Sequence, residues 1–419
     1  MTERTVVVVG AGAAGLAAAW AAARHGATVR LVDSGSGVSA LVGGAADYRP
    51  WEEMARAVAL RGETPLAGEL PAGIADFAAD LDLWSLPLAE EPLLRLATEA
   101  GRLRTARGAD SALLDWTQIP AGGRVILPRA IRPEWDAGSL ARSLREDTYV
   151  RSRGFKLDVV DAKLFKLQGE ERIAPADLAS RHDEPQRLAW LEMRLGQLVA
   201  EVGASDAILL GPWLGVRSPV ASVLSKNLGL VVGEVLSGVG GAAGLRFEFA
   251  RERMLAKLGI DLQLACVEAV ESVEDGYALS IEGRQPPEIA DAVVLAIGGV
   301  AAGGVVYCPP ETRAGRDAPD RGSRAFKLSL DAPVDLRAHG KRLDVTSSIH
   351  GPRMDDCAWP IDADPGLLEA VGVDCDPTGR VLPGLYAAGD AVGDAPRTVL
   401  EAVASGIRAA AAACLTEVD

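Results

Sequence analysis

Three glycines spaced as Gly10-x-Gly12-x-x-Gly15 follow a run of valines and precede an alanine-rich segment. Glycines between a strand and a helix let the backbone approach a pyrophosphate, which the N–H groups and dipole at the helix N-terminus then attract. Asp33 ends a second apolar segment about 20 residues later, where a carboxylate accepts both ribose hydroxyls of an adenosine. The pattern predicts a dinucleotide site with contacts from Gly10, Gly12, Ala14, Gly15, Asp33 and Ser34.

Two later segments are predicted to meet the same ligand. The small-residue loop 39–48 can offer backbone N–H groups to a phosphate or to an isoalloxazine ring; the alternative is a flexible surface loop. The apolar run 291–295 ends in glycines that let the chain cross the adenosine half without a side-chain clash; the alternative is a core strand with no ligand. The contacts expected from these segments and from the strand before them are Ala40, Gly43, Gly44, Val267, Ala296 and Gly298.

Near the C-terminus, a short apolar segment ends in Gly389-Asp390, and a helix is expected to follow from Thr398 and Val399. The Asp390 carboxylate suits a polyol hydroxyl, and the helix N-terminus would point at the pyrimidine edge of a flavin. A positive helix end at that edge stabilises the anionic reduced flavin and favours hydride acceptance. Gly389, Asp390, Thr398 and Val399 are therefore predicted to complete a site for FAD rather than FMN.

Two side chains are candidates for catalysis. Arg246 follows a glycine-rich segment, where a guanidinium can hold a substrate carboxylate or phosphate; the alternative is a surface ion pair. His350 stands in a predicted turn, where it can transfer a proton near a flavin; the alternative is an ordinary loop histidine. The five cysteines show no CxxC or CxxxC spacing and the four histidines no paired motif, so no metal site is expected.

The composition restricts the possible partners and location. A net charge of −15 argues against nucleic acid and anionic membrane surfaces as general partners. No apolar run reaches the roughly 20 residues of a membrane span, and no basic segment precedes the first strand as in a signal peptide. Scattered cysteines favour a reducing cytoplasm.

The order of segments predicts an α/β protein. A Rossmann-like FAD-binding domain with a parallel sheet is expected from residues 1–50, 220–310 and 366–419, and an inserted α+β substrate or partner domain from 51–219 and 311–365. Residues 51–100 are expected to form two or three helices, 112–116 a strand, 175–203 one amphipathic helix and 247–258 another.

Taken together, the Gly10 motif, Asp33, the glycine-ended strand at 296–299 and the segment 385–390 resemble the FAD-dependent oxidoreductases that include succinate dehydrogenase and fumarate reductase flavoproteins. The middle of the chain resembles the B-type subunit of anaerobic glycerol-3-phosphate dehydrogenase. The segments that carry this second resemblance are 39–47, 105–116, 156–203, 208–215 and 235–246.

The resemblance implies a flavoprotein beside a catalytic subunit, passing electrons from a polyol phosphate towards an iron–sulfur subunit and a membrane quinone, with peripheral membrane association through a partner. The B-type subunit is described with FMN and tends to lack the Gly-Asp seen here at 389–390, which favours FAD in this chain. The histidine and arginine motifs of fumarate reduction are absent from the sequence. The alternatives are a self-sufficient flavin dehydrogenase or reductase of a hydroxy acid or unsaturated compound, an electron-transfer or structural flavoprotein subunit without its own substrate, and an NAD-binding regulatory module.

Overall fold

The computed structural model describes residues 4–35, 37–50, 69–88, 91–130, 132–307, 326–342 and 366–415. The chain divides into two compact units, called unit 1 and unit 2 below. Unit 1 comprises Met1–Val38, Ala72–Ile74 and Leu255–Asp419, and unit 2 comprises Ser39–Pro71 and Ala75–Met254.

The strands described in unit 1 are β1 (Thr5–Val9), β2 (Thr28–Asp33), β12 (Leu262–Leu264), β13 (Val267–Val273), β14 (Gly276–Ile281), β15 (Glu288–Ala290), β16 (Ala292–Leu295), β17 (Val305–Tyr307), β18 (Phe326–Leu328), β19 (Leu336–Ala338), β20 (Lys341–Arg342), β21 (Gly372–Val373), β22 (Arg380–Leu382) and β23 (Leu385–Ala387). Those described in unit 2 are β3 (Ala45–Ala46), β4 (Trp84–Ser85), β5 (Leu94–Ala97), β6 (Leu103–Ala106), β7 (Gly108–Asp110), β8 (Arg124–Arg129), β9 (Lys156–Asp161), β10 (Ala207–Leu210) and β11 (Val231–Glu234).

The described helices, in chain order, are α1 (Ala13–Arg24), α2 (Ile74–Leu81), α3 (Ala137–Glu146), α4 (Thr148–Arg153), α5 (Pro175–His182), α6 (Pro185–Val202), α7 (Val220–Leu228), α8 (Ala242–Leu258), α9 (Gly366–Ala370) and α10 (Val399–Cys414). No described helix is long and apolar enough to cross a membrane.

A six-stranded sheet forms the centre of unit 1, in the order β12-β2-β1-β16-β23-β22. The first five strands are parallel, and β22 runs antiparallel to β23. The valines of β1 and all four residues of β16 are buried, as expected for central strands of a parallel sheet covered on both faces. This arrangement confirms the predicted Rossmann-like α/β architecture and brings the carboxyl ends of β1, β16 and β23 to one edge.

Helices α1 and α10 pack against each other in unit 1 through small residues. A Cβ placed on Gly406 of α10 would lie 2.1 Å from the carbonyl oxygen of Ala14 in α1, so only glycine permits this approach. The alanines of both helices bury their faces without separating the backbones. An antiparallel sheet in the order β13-β14-β15 also belongs to this unit.

Unit 2 has its own parallel sheet, in the order β11-β10-β8-β9. The chain passes from β8 to β9 on one side and from β10 to β11 on the other, so the carboxyl ends of β8 and β10 form a topological switch point, where open sheets of this type often bind ligands. Arg132, after β8, and Trp213, after β10, are buried, with the guanidinium carbon 5.3 Å from the indole centroid. The Arg132 and Trp213 side chains therefore pack against each other at this switch point.

Several boundaries differ from those predicted. Residues 220–254 group with unit 2 because β11 pairs with β10, and residues 45–46 do so because β3 pairs with β7. Strand β18 groups with unit 1 because it pairs with β17.

Local elements also differ. The helix expected over 175–203 is two helices, because the Asp183 carboxylate between them accepts the backbone N–H groups of residues 216–218, and Pro185 begins the second helix. The strand expected over 112–116 is wrong: Asp115 caps a 3₁₀ turn, Trp116–Gln118, by accepting the N–H of Thr117. Of residues 51–100, the described part holds one helix, α2, and the short strands β4 and β5.

Candidate dinucleotide-binding site

The turn between β1 and α1 is built around Gly10, whose φ is +102°. Its N–H donates to the carbonyl oxygen of Val32 at 2.7 Å. A Cβ at Gly10 would lie 2.3 Å from the carbonyl oxygen of Ala296, and one at Gly15 would lie 1.8 Å from the carbonyl oxygen of Gly10. Both positions therefore require glycine, which fits the glycine spacing predicted from the sequence.

Gly12 is the N-cap of α1 and offers no side-chain cap to the helix. Its extended backbone lets the first turn begin directly after the glycine turn, with the buried residues Ala14 and Gly15 in that turn. The first N–H groups of a helix have no acceptors within the helix and lie at the positive end of its dipole. An anion suits this position, and a pyrophosphate is the ligand that such turns bind in dinucleotide folds.

The segment after β16 and the turn after β23 lie at the same edge of unit 1. A Cβ on Gly299 would lie 2.7 Å from the carbonyl oxygen of Asp390, and one on Gly389 would lie 2.5 Å from the Cβ of Ala14. The N–H of Gly389 donates to the hydroxyl of Ser405 in α10 at 3.0 Å. The two ends of the chain thus converge at this edge, with Gly10 beside Ala296 and Gly389 beside Ala14 of α1. Contacts of these residues and of Gly298 with a cofactor stay a prediction.

Asp390 and Arg397 form the polar part of this edge. Burial raises the pKa of the Asp390 carboxyl group, and the nearby Arg397 guanidinium opposes that rise. Among the described residues, the Asp390 carboxylate accepts no hydrogen bond. It therefore keeps its full accepting capacity for a ligand hydroxyl.

The guanidinium of Arg397 hydrogen-bonds to backbone carbonyl groups instead of a carboxylate. It donates to the carbonyl oxygens of Glu369 at 2.8 Å, Val371 at 3.0 Å and Val392 at 3.1 Å, and also to that of Asp390. Burial lowers the Arg397 pKa. These bonds fix the chain between the turn at 389–391 and the start of α10, so Arg397 positions Asp390.

Other predicted contacts are placed individually. Asp33 ends β2, pairs in register with Leu264 and is followed by an exposed Ser34. The Val267 side chain is buried in an apolar cluster, so only its backbone can face a ligand. Thr398 is the N-cap of α10 and Val399 its first residue, as predicted, with a buried Leu400 next.

Ala40, Gly43 and Gly44 belong to unit 2. The N–H of Ser237 donates to the carbonyl oxygen of Gly43 at 3.1 Å, and a Cβ on Gly43 would lie 2.5 Å from the carbonyl oxygen of Ser237. A Cβ on Gly244 would lie 1.7 Å from the carbonyl oxygen of Ala40. The two glycine-rich segments therefore pack backbone against backbone, and cofactor contacts from the first of them stay a prediction.

Arg246 requires a correction. It lies within α8 and is buried, where Nε donates to Asp110 at 2.5 Å, Nη2 to Glu234 at 2.7 Å and Nη1 to the carbonyl oxygen of Gly215 at 2.8 Å. Each of its nitrogens has an acceptor, and two acidic side chains, Asp110 and Glu234, lie against it. Arg246 is therefore a structural residue, and the predicted role in holding a substrate anion does not fit this geometry.

His350 lies outside the described residues, so its catalytic role stays a prediction. Among the described residues, no three His, Cys, Asp or Glu side chains form a group that could hold a metal ion.

Arg397 and Ser405 belong to the site but were not predicted from the sequence. A serine and a glycine adjacent in an alanine-rich helix, Ser405-Gly406, signal a close helix contact, and this signal was available. Arg397 had none, because backbone carbonyl acceptors leave no pattern in a sequence.

Comparison with known proteins gives one family match. No curated protein matches the chain. A structure of 3-ketosteroid Δ1-dehydrogenase from Sterolibacterium denitrificans in complex with 1,4-androstadiene-3,17-dione is 18% identical with a TM-score of 0.28, covering 71% of this chain and 48% of that one. This chain thus spans about half the length of that enzyme.

Two further structures are similar over a greater length. CtdE in complex with FAD is 11% identical with a TM-score of 0.31, covering 97% of this chain and 82% of that one. A redesigned putrescine oxidase is 15% identical with a TM-score of 0.32, covering 98% of each chain. Similarity at this level assigns no activity. Residues 8–56, which include the Gly10 turn and Asp33, match the family model of the NAD(P)-binding Rossmann-like domain.

Proposed function

We propose that the protein is an FAD-dependent oxidoreductase that transfers hydride or electrons through the flavin. The observation that carries this proposal is the convergence of the Gly10 turn with the Gly389-Asp390 turn at one edge of the unit 1 sheet. A mononucleotide needs only one of these turns. Asp33 at the end of β2 and Asp390 after β23 suit a cofactor that has a ribose at one end and a polyol chain at the other.

The residues present fit FAD. Asp33 would bind the adenosine ribose, the N-terminus of α1 would bind the pyrophosphate, and the Asp390 carboxylate would accept a ribityl hydroxyl. The N-terminus of α10 would place a positive dipole end towards the pyrimidine edge. When bound, FAD supplies hydride acceptance and electron transfer. The glycines at 10, 15 and 389 permit the close backbone approaches that form this edge.

The first test is the visible spectrum of the purified chain and the identity of the cofactor released on denaturation. We expect a yellow protein that releases FAD. A colourless protein, or one that releases NAD, would contradict the proposal and favour an NAD-binding regulatory module.

A matched pair of glycine variants tests the location of the site. Gly389 has φ +67° and a Cβ there would lie 2.5 Å from that of Ala14, whereas Gly26, at the other end of α1, has φ +79° and no atom within 4 Å of such a Cβ. Both Gly389→Ala and Gly26→Ala strain the backbone, but only the first also disturbs the proposed cradle. We expect Gly389→Ala to lower FAD retention at least tenfold relative to Gly26→Ala. Equal retention in both variants would place the flavin elsewhere.

We further propose that the chain passes electrons from a small polar substrate to a partner subunit or quinone, as the resemblance to the B-type subunit of anaerobic glycerol-3-phosphate dehydrogenase implies. Catalytic and iron–sulfur subunits would be its partners, in the cytoplasm or at the inner face of the membrane. Anaerobic titration with glycerol 3-phosphate separates the alternatives. Flavin bleaching in the purified chain alone favours a self-sufficient dehydrogenase, and bleaching only after a partner subunit is added favours the electron-transfer role.

A further inference from the structure

Five arginines of unit 2 are buried, and four of them face a carboxylate. Arg246 pairs with Asp110 and Glu234. Each of the three others pairs with one glutamate: Arg132 with Glu134, Arg187 with Glu170, and Arg251 with Glu248. The fifth, Arg107, forms no ion pair with any residue that the structure describes. A buried cation without a counter-ion is unfavourable unless a ligand supplies the charge.

The hydrogen bonds of Arg107 leave one edge of its guanidinium unused. Nη1 donates to the carbonyl oxygen of Pro87 at 2.6 Å, and the backbone N–H donates to Asp47 at 3.2 Å. Nε is buried and has no acceptor among the residues that the structure describes. The Nε–Nη2 edge, which binds carboxylates and phosphates side-on through two parallel hydrogen bonds, is therefore free within the described part of the chain.

The surroundings of Arg107 favour an anion. Asp47, the carboxylate that accepts the Arg107 backbone N–H, pairs with the Arg104 guanidinium, so it offers little charge to a second guanidinium. Burial lowers the pKa of both arginines, and that of Arg104 to about 10. The hydroxyl of Thr105, two residues before Arg107, is also buried and has no hydrogen-bond partner among the described residues.

We propose that Arg107 binds the oxyanion of a small-molecule ligand, a carboxylate or a phosphate, through its Nε–Nη2 edge, with Thr105 as a second donor. Arg107 is only 5% exposed, so the bound charge is shielded from bulk water, where a charge-assisted hydrogen bond is strong. The inference deepens the proposed function by giving its substrate an anionic group, and it rests on that function only in naming the ligand a substrate. Arg107 replaces Arg246, whose guanidinium is saturated, as the residue that holds the anion.

Thermal unfolding of the full chain, purified with its cofactor, tests the proposal. Inorganic phosphate and propionate are the probes, titrated at constant ionic strength with sodium chloride as the balancing salt. We expect at least one probe to raise the Tm of the wild type by a few degrees, since a ligand that binds only the folded state stabilises it. A shift with phosphate alone indicates a phosphorylated ligand, and a shift with propionate a carboxylate.

Arg107→Gln should abolish that shift, with an affinity at least tenfold weaker by calorimetry. Arg102→Gln, at an exposed residue directly before β6, is the matched control and should respond as the wild type does. Arg107→Lys keeps the charge without the planar fork and should give an intermediate affinity. An equal shift in wild type and Arg107→Gln, or no shift in the wild type with either probe, would overturn the proposal.

The unfolding temperature without probe separates this role from a structural one. Removal of an unpaired buried cation should leave the Tm of Arg107→Gln equal to or above that of the wild type. A drop of several degrees would show that Arg107 stabilises the fold and would also overturn the proposal. Neither readout uses the flavin, so a failure of the proposed flavin chemistry is detected separately, by the spectrum.

Discussion

Replacing Glu234 by glutamine should change how the stability of unit 2 depends on pH. Glu234 is buried with Asp110 and one guanidinium, that of Arg246, so the cluster carries two carboxylates for one cation. Burial is the main cause that raises the Glu234 pKa from 4.5 to about 7, with repulsion by Asp110 adding to it; Arg246 and the N–H of Leu214 oppose the rise.

The direction of this pH dependence follows from the protonation of Glu234 in the folded and unfolded states. In the unfolded chain Glu234 loses its proton near pH 4.5, whereas in the folded protein it keeps the proton until about pH 7. The folded state therefore binds more protons in this interval, and the free energy of unfolding falls as the pH rises through it. An interval from 4.5 to about 7 corresponds to ~3 kcal/mol, taken as an upper bound. Glutamine resembles the protonated carboxyl group and does not titrate.

Urea denaturation of wild type and Glu234→Gln at pH 5, 6, 7 and 8 measures this difference. We expect similar free energies of unfolding at pH 5 and a growing advantage for the variant up to about pH 7, approaching ~3 kcal/mol and constant above that pH. Glu146→Gln, whose side chain is 80% exposed, serves as the control and should follow the wild type at every pH. Parallel curves, or a variant that becomes less stable than the wild type as the pH rises, would refute the reasoning, because they would mean that Glu234 is ionised in the fold.

Three further changes have definite expected outcomes. His182 is buried, its Nδ1 donates to the carbonyl oxygen of Trp213, and burial lowers its pKa from 6.5 to about 4. The unfolded chain therefore binds a proton that the folded protein does not, and urea denaturation should show the wild type losing stability relative to His182→Gln as the pH falls from 6.5 to 4. Arg397→Gln should release the turn that holds Asp390 and reduce FAD affinity at least tenfold by fluorescence titration, whereas Arg408→Gln, which removes only an exposed pair with a glutamate of the same helix, should leave FAD affinity unchanged. Asp183→Ala should leave three backbone N–H groups without their acceptor and lower the free energy of unfolding by ~1–3 kcal/mol, whereas an unchanged value would show that water replaces the carboxylate.

The dinucleotide edge of unit 1 was predictable because its determinants are local in sequence. Gly10, Gly15 and Asp33 mark one strand, one helix and the next strand, and the backbone contacts that exclude a Cβ at both glycines are those the spacing predicts. The turn at Gly389 was predictable for the same reason, because a short apolar strand and a Gly-Asp pair mark it in the sequence. Its position beside Ala14 could be predicted only because both segments suit one ligand.

The boundaries of the second unit were less predictable because distant pairing decides them. Residues 230–233 are an apolar run that would suit either parallel sheet, and only the pairing of β11 with β10 assigns them to unit 2. The break at Asp183 is similar, since leucines of helical period continue past it. The break depends on N–H groups 33 to 35 residues away, which no local pattern contains.

Arg246 and Arg107 differ in a way that the sequence alone does not predict, because their charge partners are set by the fold. Arg246 follows a glycine-rich segment and Arg107 follows a strand with polar side chains, and neither pattern shows which arginine is paired with a carboxylate. Arg246 donates hydrogen bonds to Asp110, 136 residues away, and to Glu234, 12 residues away, so its role is fixed by the fold. Arg107 is buried to a similar degree, but the described residues give its guanidinium only a carbonyl oxygen. Both side chains bear the desolvation cost of a buried cation. The described residues provide acidic partners for Arg246 but not for Arg107, so a ligand anion would have the larger effect on Arg107.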